Sequence, residues 1–187
     1  RTFVVTFRRK REGKTDYHTR MKMLAGGTPR LVVRRSLHHV WAQLVETKGG
    51  LDRVIASAHS KELAKKGYKG CLNNTPASYL VGVLLGKKAL MAKVKRAIVD
   101  VGMSAKTKGA RVFAVAKGAL DAGMDVPLGA EIVPDEKRLK GQHIAEYAVK
   151  LKGDTVKYQR EFGQYLKKGL RPEELPKHVE EMKKAML

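Results

Sequence analysis

Asn73-Asn-Thr-Pro-Ala-Ser-Tyr-Leu-Val-Gly-Val-Leu-Leu-Gly-Lys-Lys-Ala-Leu-Met-Ala-Lys-Val-Lys-Arg-Ala-Ile-Val-Asp-Val-Gly102 decides the fold. Thr75 is placed to cap a helix through its hydroxyl, and Pro76 suits the first helical position, where no backbone N–H is needed. From Pro76 to about Lys93, Tyr79, Leu80, Val83, Leu84, Met91 and Val94 recur at helical spacing. This predicted helix is apolar over its first half and basic over its second. Gly82 and Gly86 are read as letting it lie close to a sheet. Ala97 to Val101, a β-branched run closed by Gly102, reads as a buried strand. A buried helix feeding a central strand makes an α/β core.

The residues upstream supply the rest of a sheet. Leu31-Val-Val33, Val40 to Val45 and Leu51 to Ser60 read as three strands, with Lys48-Gly-Gly50 as the turn between the last two. Short connections predict an antiparallel meander. Downstream, a helix from about Ala110 to Ala122 and a short edge strand at Met124-Asp-Val126 predict a right-handed βαβ crossover. The fold class is therefore α/β, a mixed sheet with helices packed on it. Ser60 to Tyr68 reads as a short helix capped by Ser60 and stopped by Gly67. From Pro134 the pattern is helical: His143, Ile144, Tyr147, Ala148 and Leu151, then Tyr158, Phe162 and Tyr165, then Leu175, Val179, Met182 and Met186.

Charge is the strongest compositional signal. The 187 residues carry 39 Lys and Arg against 18 Asp and Glu, a net +21. Residues 1–111 hold 25 basic and 6 acidic residues, whereas residues 112–187 hold 14 and 12. Self-repulsion on that scale predicts a polyanionic partner, nucleic acid first. A membrane is disfavoured: no stretch reaches the roughly 20 apolar residues of a span, and no basic helix carries a Trp/Phe/Leu face. The apolar start Phe3-Val-Val5 is too short for a signal peptide. The single cysteine, Cys71, excludes an internal disulfide and a Cys-based zinc site, fits a reducing intracellular setting, and is expected to be small and at least half-buried.

The cations fall into clusters. Arg8, Arg9, Lys10, Arg11 and Lys14 form a basic arm, followed by a helix capped by Thr15 that carries Tyr17, Met21 and Leu24 on one face and Arg20 and Lys22 off it. Tyr17 either stacks on a base or packs in the core. Arg30, Arg34, Arg35 and His38 surround the first strand and its turn. His38 and His39 point to opposite faces of a strand and do not share a metal. Lys65, Lys66, Tyr68 and Lys69 lead into Asn73 and Asn74, a basic loop with an interleaved aromatic, as in contacts to unpaired RNA. Tyr68 is either such a contact or a core residue. Lys106, Lys108 and Arg111 form the last cluster. The regions divide as an arm (1–28), an α/β unit (29–131) and a helical extension (132–187).

No phosphate-binding loop, dinucleotide fingerprint or nucleophile elbow is present. Gly82 to Lys88 comes nearest to the first, but Lys88 stands where Ser or Thr is required. Asp100 is the one carboxylate that suggests a nuclease, because such acids sit on central strands. Asp52, Asp121 and Asp125 have no spacing that obliges them to join it. A solvated or turn-capping Asp100 is the simpler reading. The sequence thus favours a binding protein without catalytic residues, metal, cofactor or small-molecule substrate.

Phe7 to Tyr17, Pro29 to Arg34, Asn73 to Gly82, Ala97 to Gly102, Phe113 to Gly123 and Pro134-Asp-Glu with Gly141-Gln-His-Ile144, taken in order, resemble a known family. It is the 5S-rRNA-binding protein of the large ribosomal subunit, eighteenth in the large-subunit series, in its archaeal form. The resemblance runs from about Phe7 to Leu187. It implies a ribonuclease-H-like topology without catalysis, and a place in cytoplasmic ribosomes. It also implies binding to 5S rRNA and large-subunit rRNA in the central protuberance, and contact between the helical extension and neighbouring ribosomal proteins. The expected RNA contacts are the arm to Tyr17, Arg30 to Arg35, and the Lys65–Asn74 loop. A ribonuclease-H-like nuclease and a free-standing RNA chaperone are the alternatives.

Overall fold

The computed structural model describes residues 4–104 and 106–186. Phe3 of the apolar start and Leu187 at the end of the resemblance lie outside the described residues. Four strands, β1 (Arg30–Arg35), β2 (Val40–Lys48), β3 (Leu51–His59) and β4 (Ile98–Asp100), form one sheet in the order β3-β2-β1-β4. The first three make the predicted antiparallel meander, and β4 runs parallel to β1 with Val99 opposite Leu31. Gly49 and Gly50, with φ of 56° and 80°, supply the two left-handed residues of the β2–β3 turn.

Helix α1 (Arg8–Arg11) and α2 (Tyr17–Ala25) precede the sheet, and α3 (Ser60–Lys65) follows β3. Helix α4 (Thr75–Met91) is the centre of the molecule: thirteen of its seventeen residues are buried. It lies across β2 and β3, beside α5 (Arg111–Asp121), with α6 (Glu136–Lys140) and α9 (Leu175–Met186) on its remaining sides. Over its first twelve residues, Thr75 to Gly86, it is enclosed on every side and lacks charge, as the sequence reads, whereas the end with Lys87, Lys88 and Met91 reaches the surface. Helices α7 (Gln142–Leu151) and α8 (Thr155–Lys167) complete the extension. Leu175, Val179, Met182 and Met186 of α9 are buried, whereas Tyr147 of the predicted α7 stripe is exposed.

The structure corrects several expectations. Gly82 approaches a helix, not the sheet: a Cβ there would fall on the Val115 carbonyl, and one at Gly118 on the Tyr79 carbonyl. Each helix cap lies one residue from the expected one, after Thr15 and before Ser60 and Thr75. Asp16 accepts from the N–H of His18, His59 Nδ1 from that of Lys61, and Asn74 Oδ1 from that of Ala77. The Ser60 hydroxyl is engaged elsewhere, by the Val40 N–H and the His39 ring. Pro76 accordingly sits at the second helical position.

The edge strand at Met124–Val126 shrinks to one parallel bridge, Asp125 to Arg96, because Pro127 has no N–H to extend a ladder. Met21 is exposed and α2 buries no residue; a charge contact, described below, holds it instead. Cys71 is exposed rather than half-buried.

Candidate nucleic-acid interface

Alternation along the strands separates two kinds of residue. Leu31 and Val33 face the helices, whereas Arg30, Val32 and Arg34 face the other way, onto a sheet face that only α2 partly covers. Between α2 and this face lies a cleft of about 310 Å³, lined among others by Arg9, Lys14, Arg20, Arg34 and Lys106.

The floor of the cleft is a chain of ion pairs. Arg20 of α2 donates to Asp52 at 2.9 Å, Arg30 donates to Asp52 at 2.9 Å, and Arg30 donates to Asp100 at 3.0 Å. Burial pushes the Asp52 carboxyl up. The Thr47 hydroxyl, Arg30 and Arg20 outweigh it and hold the group below the usual carboxylate range. Arg30 is 4 % exposed, so it is a structural cation and not the expected phosphate contact. Asp100 is 6 % exposed, not solvated, but it does cap a turn by accepting from the Gly102 N–H at 2.8 Å. Arg34 reaches Asp100 only at 3.8 Å and stays half exposed. Gly102, at φ 62°, leaves room for that guanidinium: a Cβ would lie 3.0 Å from Arg34 Nη1.

At the carboxyl ends of β1 and β4, the free cations gather. The β1–β2 turn is closed by the Ser36 N–H donating to the His39 carbonyl, and Asn73 Nδ2 donates to the carbonyls of Ser36 and Leu37. Arg111 donates to the Asn73 carbonyl and lies near Arg35. Burial and the neighbouring Arg35 both work against the Arg111 charge and lower its pKa. Among the described residues neither guanidinium has a carboxylate partner. His38, Lys106 and Lys108 are exposed, Lys106 at the cleft that Arg34 lines and Lys108 paired loosely with Glu131 at 3.3 Å.

The remaining expected contacts divide. Lys65, Lys66 and Lys69 are exposed. Tyr68 is 2 % exposed, with His178 stacked on its ring at 5.5 Å and 12°, so it is a core residue with no face for a base. Asn73 and Asn74 are likewise committed, Asn73 to the turn and Asn74 to the α4 cap and the Tyr165 hydroxyl. In the arm, Arg8, Lys10, Arg11, Lys14 and Lys22 are exposed, while Arg9 donates to Thr15 and Tyr17 packs against Phe7 at 5.0 Å.

Two features escaped the sequence reading. Asp52 links α2 to the sheet, a contact across 32 residues that no local pattern announces. Trp41 stands exposed on the open face beside Gln43. Here a signal existed, since Val40, Ala42 and Leu44 alternate with Trp41 and Gln43.

A family described as ribosomal large subunit proteins 60S L5 and 50S L18 matches at residues 1–96 and 91–129. The chain belongs to that family. The large ribosomal subunit protein uL18 of Methanococcus maripaludis is 55% identical over 185 residues, which is 99% of this chain and 96% of that protein. The helical extension lies wholly beyond the family match but is shared with this archaeal relative. The chain is therefore a structural constituent of the large ribosomal subunit, in its archaeal form and ribosome-associated in the cytoplasm. No helix among the described residues is long and apolar enough to cross a membrane.

Proposed function

We propose that this protein binds 5S rRNA and helps attach it to large-subunit rRNA in the central protuberance. The observation that carries the reading is the Arg35–Arg111 pair, two neighbouring guanidiniums without a carboxylate among the described residues, Arg111 being held by the Asn73 carbonyl. Like charges held together in a folded protein call for an anion between them, and phosphate oxygens fit a guanidinium fork. The basic arm at residues 1–28 and the α/β unit at 29–131 take the RNA. The extension at 132–187 offers exposed Tyr147, Val149 and Val156 to neighbouring ribosomal proteins.

The mechanism is positional. Cations of the arm, Arg34, Arg35, Lys65, Lys66, Lys69, Lys106, Lys108 and Arg111 neutralise phosphates and fix register. RNA shape and unpaired loops set specificity, because the A-form major groove is too narrow for side chains. We assign no catalytic step: Arg30 and the Gly102 N–H already occupy the Asp100 carboxylate.

A filter-binding titration of 5S rRNA against a structured control RNA of equal length, at several salt concentrations, tests this. The expected result is a preference for 5S rRNA above about a hundredfold at physiological salt, with a steep salt slope. Equal affinity for both RNAs would leave only a basic protein and favour a chaperone.

A further inference from the structure

The open face of the sheet carries a row in which Arg34 is the only residue counted among the phosphate contacts. Arg34 of β1 lies directly opposite Trp41 of β2, and Trp41 lies opposite His59 of β3. Directly opposed residues share a face, so a guanidinium, an indole and an imidazole stand side by side. Trp41 is 45% exposed, although an indole is among the side chains that gain most from burial. His59 meets it tilted, at 6.3 Å between centroids and 54° between planes, so it flanks the indole rather than covering it.

We propose that Trp41 is the stacking platform for an unpaired base of 5S rRNA, with Arg34 and Gln43 completing the site. This deepens the RNA-binding reading and rests on it. Gln43 lies two residues along β2 on the same face, and its carboxamide makes no hydrogen bond to another described residue. Same-face neighbours on a strand stand about 6.8 Å apart. A base lying on Trp41 therefore brings its hydrogen-bonding edge within reach of the Gln43 amide. Arg34, half exposed and steadied by the Val33 carbonyl, is placed for the adjoining phosphate. His59 Nδ1 accepts from the Lys61 N–H, which puts the proton of the neutral ring on Nε2 and gives the site a further donor. A base is favoured over a protein side chain because Arg34 heads the row, the neighbouring carboxylates of Glu62 and Asp100 are already engaged by Lys88 and Arg30, and the surrounding region carries 25 basic and 6 acidic residues.

Trp41 is the single tryptophan of the chain, so its fluorescence reports this site alone. The experiment titrates the full chain with 5S rRNA and follows tryptophan emission, acrylamide quenching and gel mobility in parallel. The expected result is quenched emission and acrylamide protection at the RNA concentration that shifts mobility. Trp41→Ala should weaken 5S rRNA binding by about tenfold to a hundredfold at unchanged salt slope, and Trp41→Phe should recover most of it. A normal mobility shift with unchanged emission, and Trp41→Ala binding like the parent, would overturn the stacking site while leaving 5S rRNA binding in place. Absence of any shift with the parent chain would overturn both. Protection that arises only in assembled subunits would assign the face to another neighbour and overturn the proposal as well.

Discussion

The two faces of the sheet are built from alternate residues of the same strands, yet different forces hold them. On the helix-covered face, Leu31, Val33, Val40, Ala42, Leu44 and Ala58 are at most 1 % exposed, and apolar burial fixes them. On the open face, Arg30 threads between Asp52 and Asp100, and Asp52 in turn holds α2 through Arg20. The difference teaches that net charge is a poor map of a binding surface. Some cations are spent on the fold, and only a partner-by-partner inventory separates Arg30 from Arg35.

Breaking the open face should cost most. Arg30→Met strands the Asp100 carboxylate in a buried site, and the expected loss is about 3–5 kcal/mol, read from urea denaturation. Adding Asp100→Leu should restore much of it, because an apolar pair leaves no uncompensated charge. A double variant as unstable as the single one would mean that the pair is not what holds β1 to β4.

The covered face should break by overpacking. Gly118→Ala and Gly82→Ala each drive a methyl into a backbone carbonyl across the α4–α5 contact, and about 3 kcal/mol is expected for either. Because both relieve the same close approach, the double variant should cost clearly less than the two singles added. Additive losses would mean that the two glycines act at separate contacts.

Legibility followed the same division. The covered face was readable because period-2 alternation and the apolar first half of α4 are local patterns enforced by burial. The strand order was half readable: the meander follows from short connections, but nothing local says that β4 pairs with β1. The cap residues shifted by one because Thr15-Asp16, His59-Ser60 and Asn74-Thr75 each present two competent acceptors near the start of the helix, and tertiary demand on Ser60 decides its case. On the candidate site, the clusters were legible as composition, whereas the inward turn of Arg30, Tyr68 and Asn74 was not. Each is held by a partner distant in sequence: Asp100, His178 and Tyr165.

The cation pair at the carboxyl ends offers a test with opposite signs. Arg35→Ala relieves the like charge beside Arg111, so folding stability should rise slightly. The same change should weaken RNA binding and flatten the salt slope by about 0.7–0.9 if one phosphate contact is lost. Denaturation and filter binding on one variant would read both. A fall in stability would show that Arg35 has a carboxylate or carbonyl partner that outweighs the repulsion.

The smallest expected effect concerns the contact between the extension and the Lys65–Asn74 loop. His178 Nε2 accepts from the Lys69 N–H at 3.2 Å while its ring stacks on Tyr68. Burial lowers its pKa against the pull of Glu181, 4.0 Å from Nδ1, and the Lys69 charge adds a smaller lowering. The unfolded chain therefore takes up the proton first, at about 6.5, and the native state only at lower pH. Stability is full above that value and declines as pH falls from about 6.5 towards the folded pKa. His39 and His143, also lowered by burial, add to the same slope, so bulk stability alone cannot isolate His178. Hydrogen exchange at the Lys69 amide can. Its protection should drop between pH 7 and pH 5 beyond the intrinsic change in exchange rate. In His178→Gln, whose amide oxygen still accepts a hydrogen bond but does not titrate, that extra loss should vanish. If both proteins lose protection alike, the loop is released by something other than this ring.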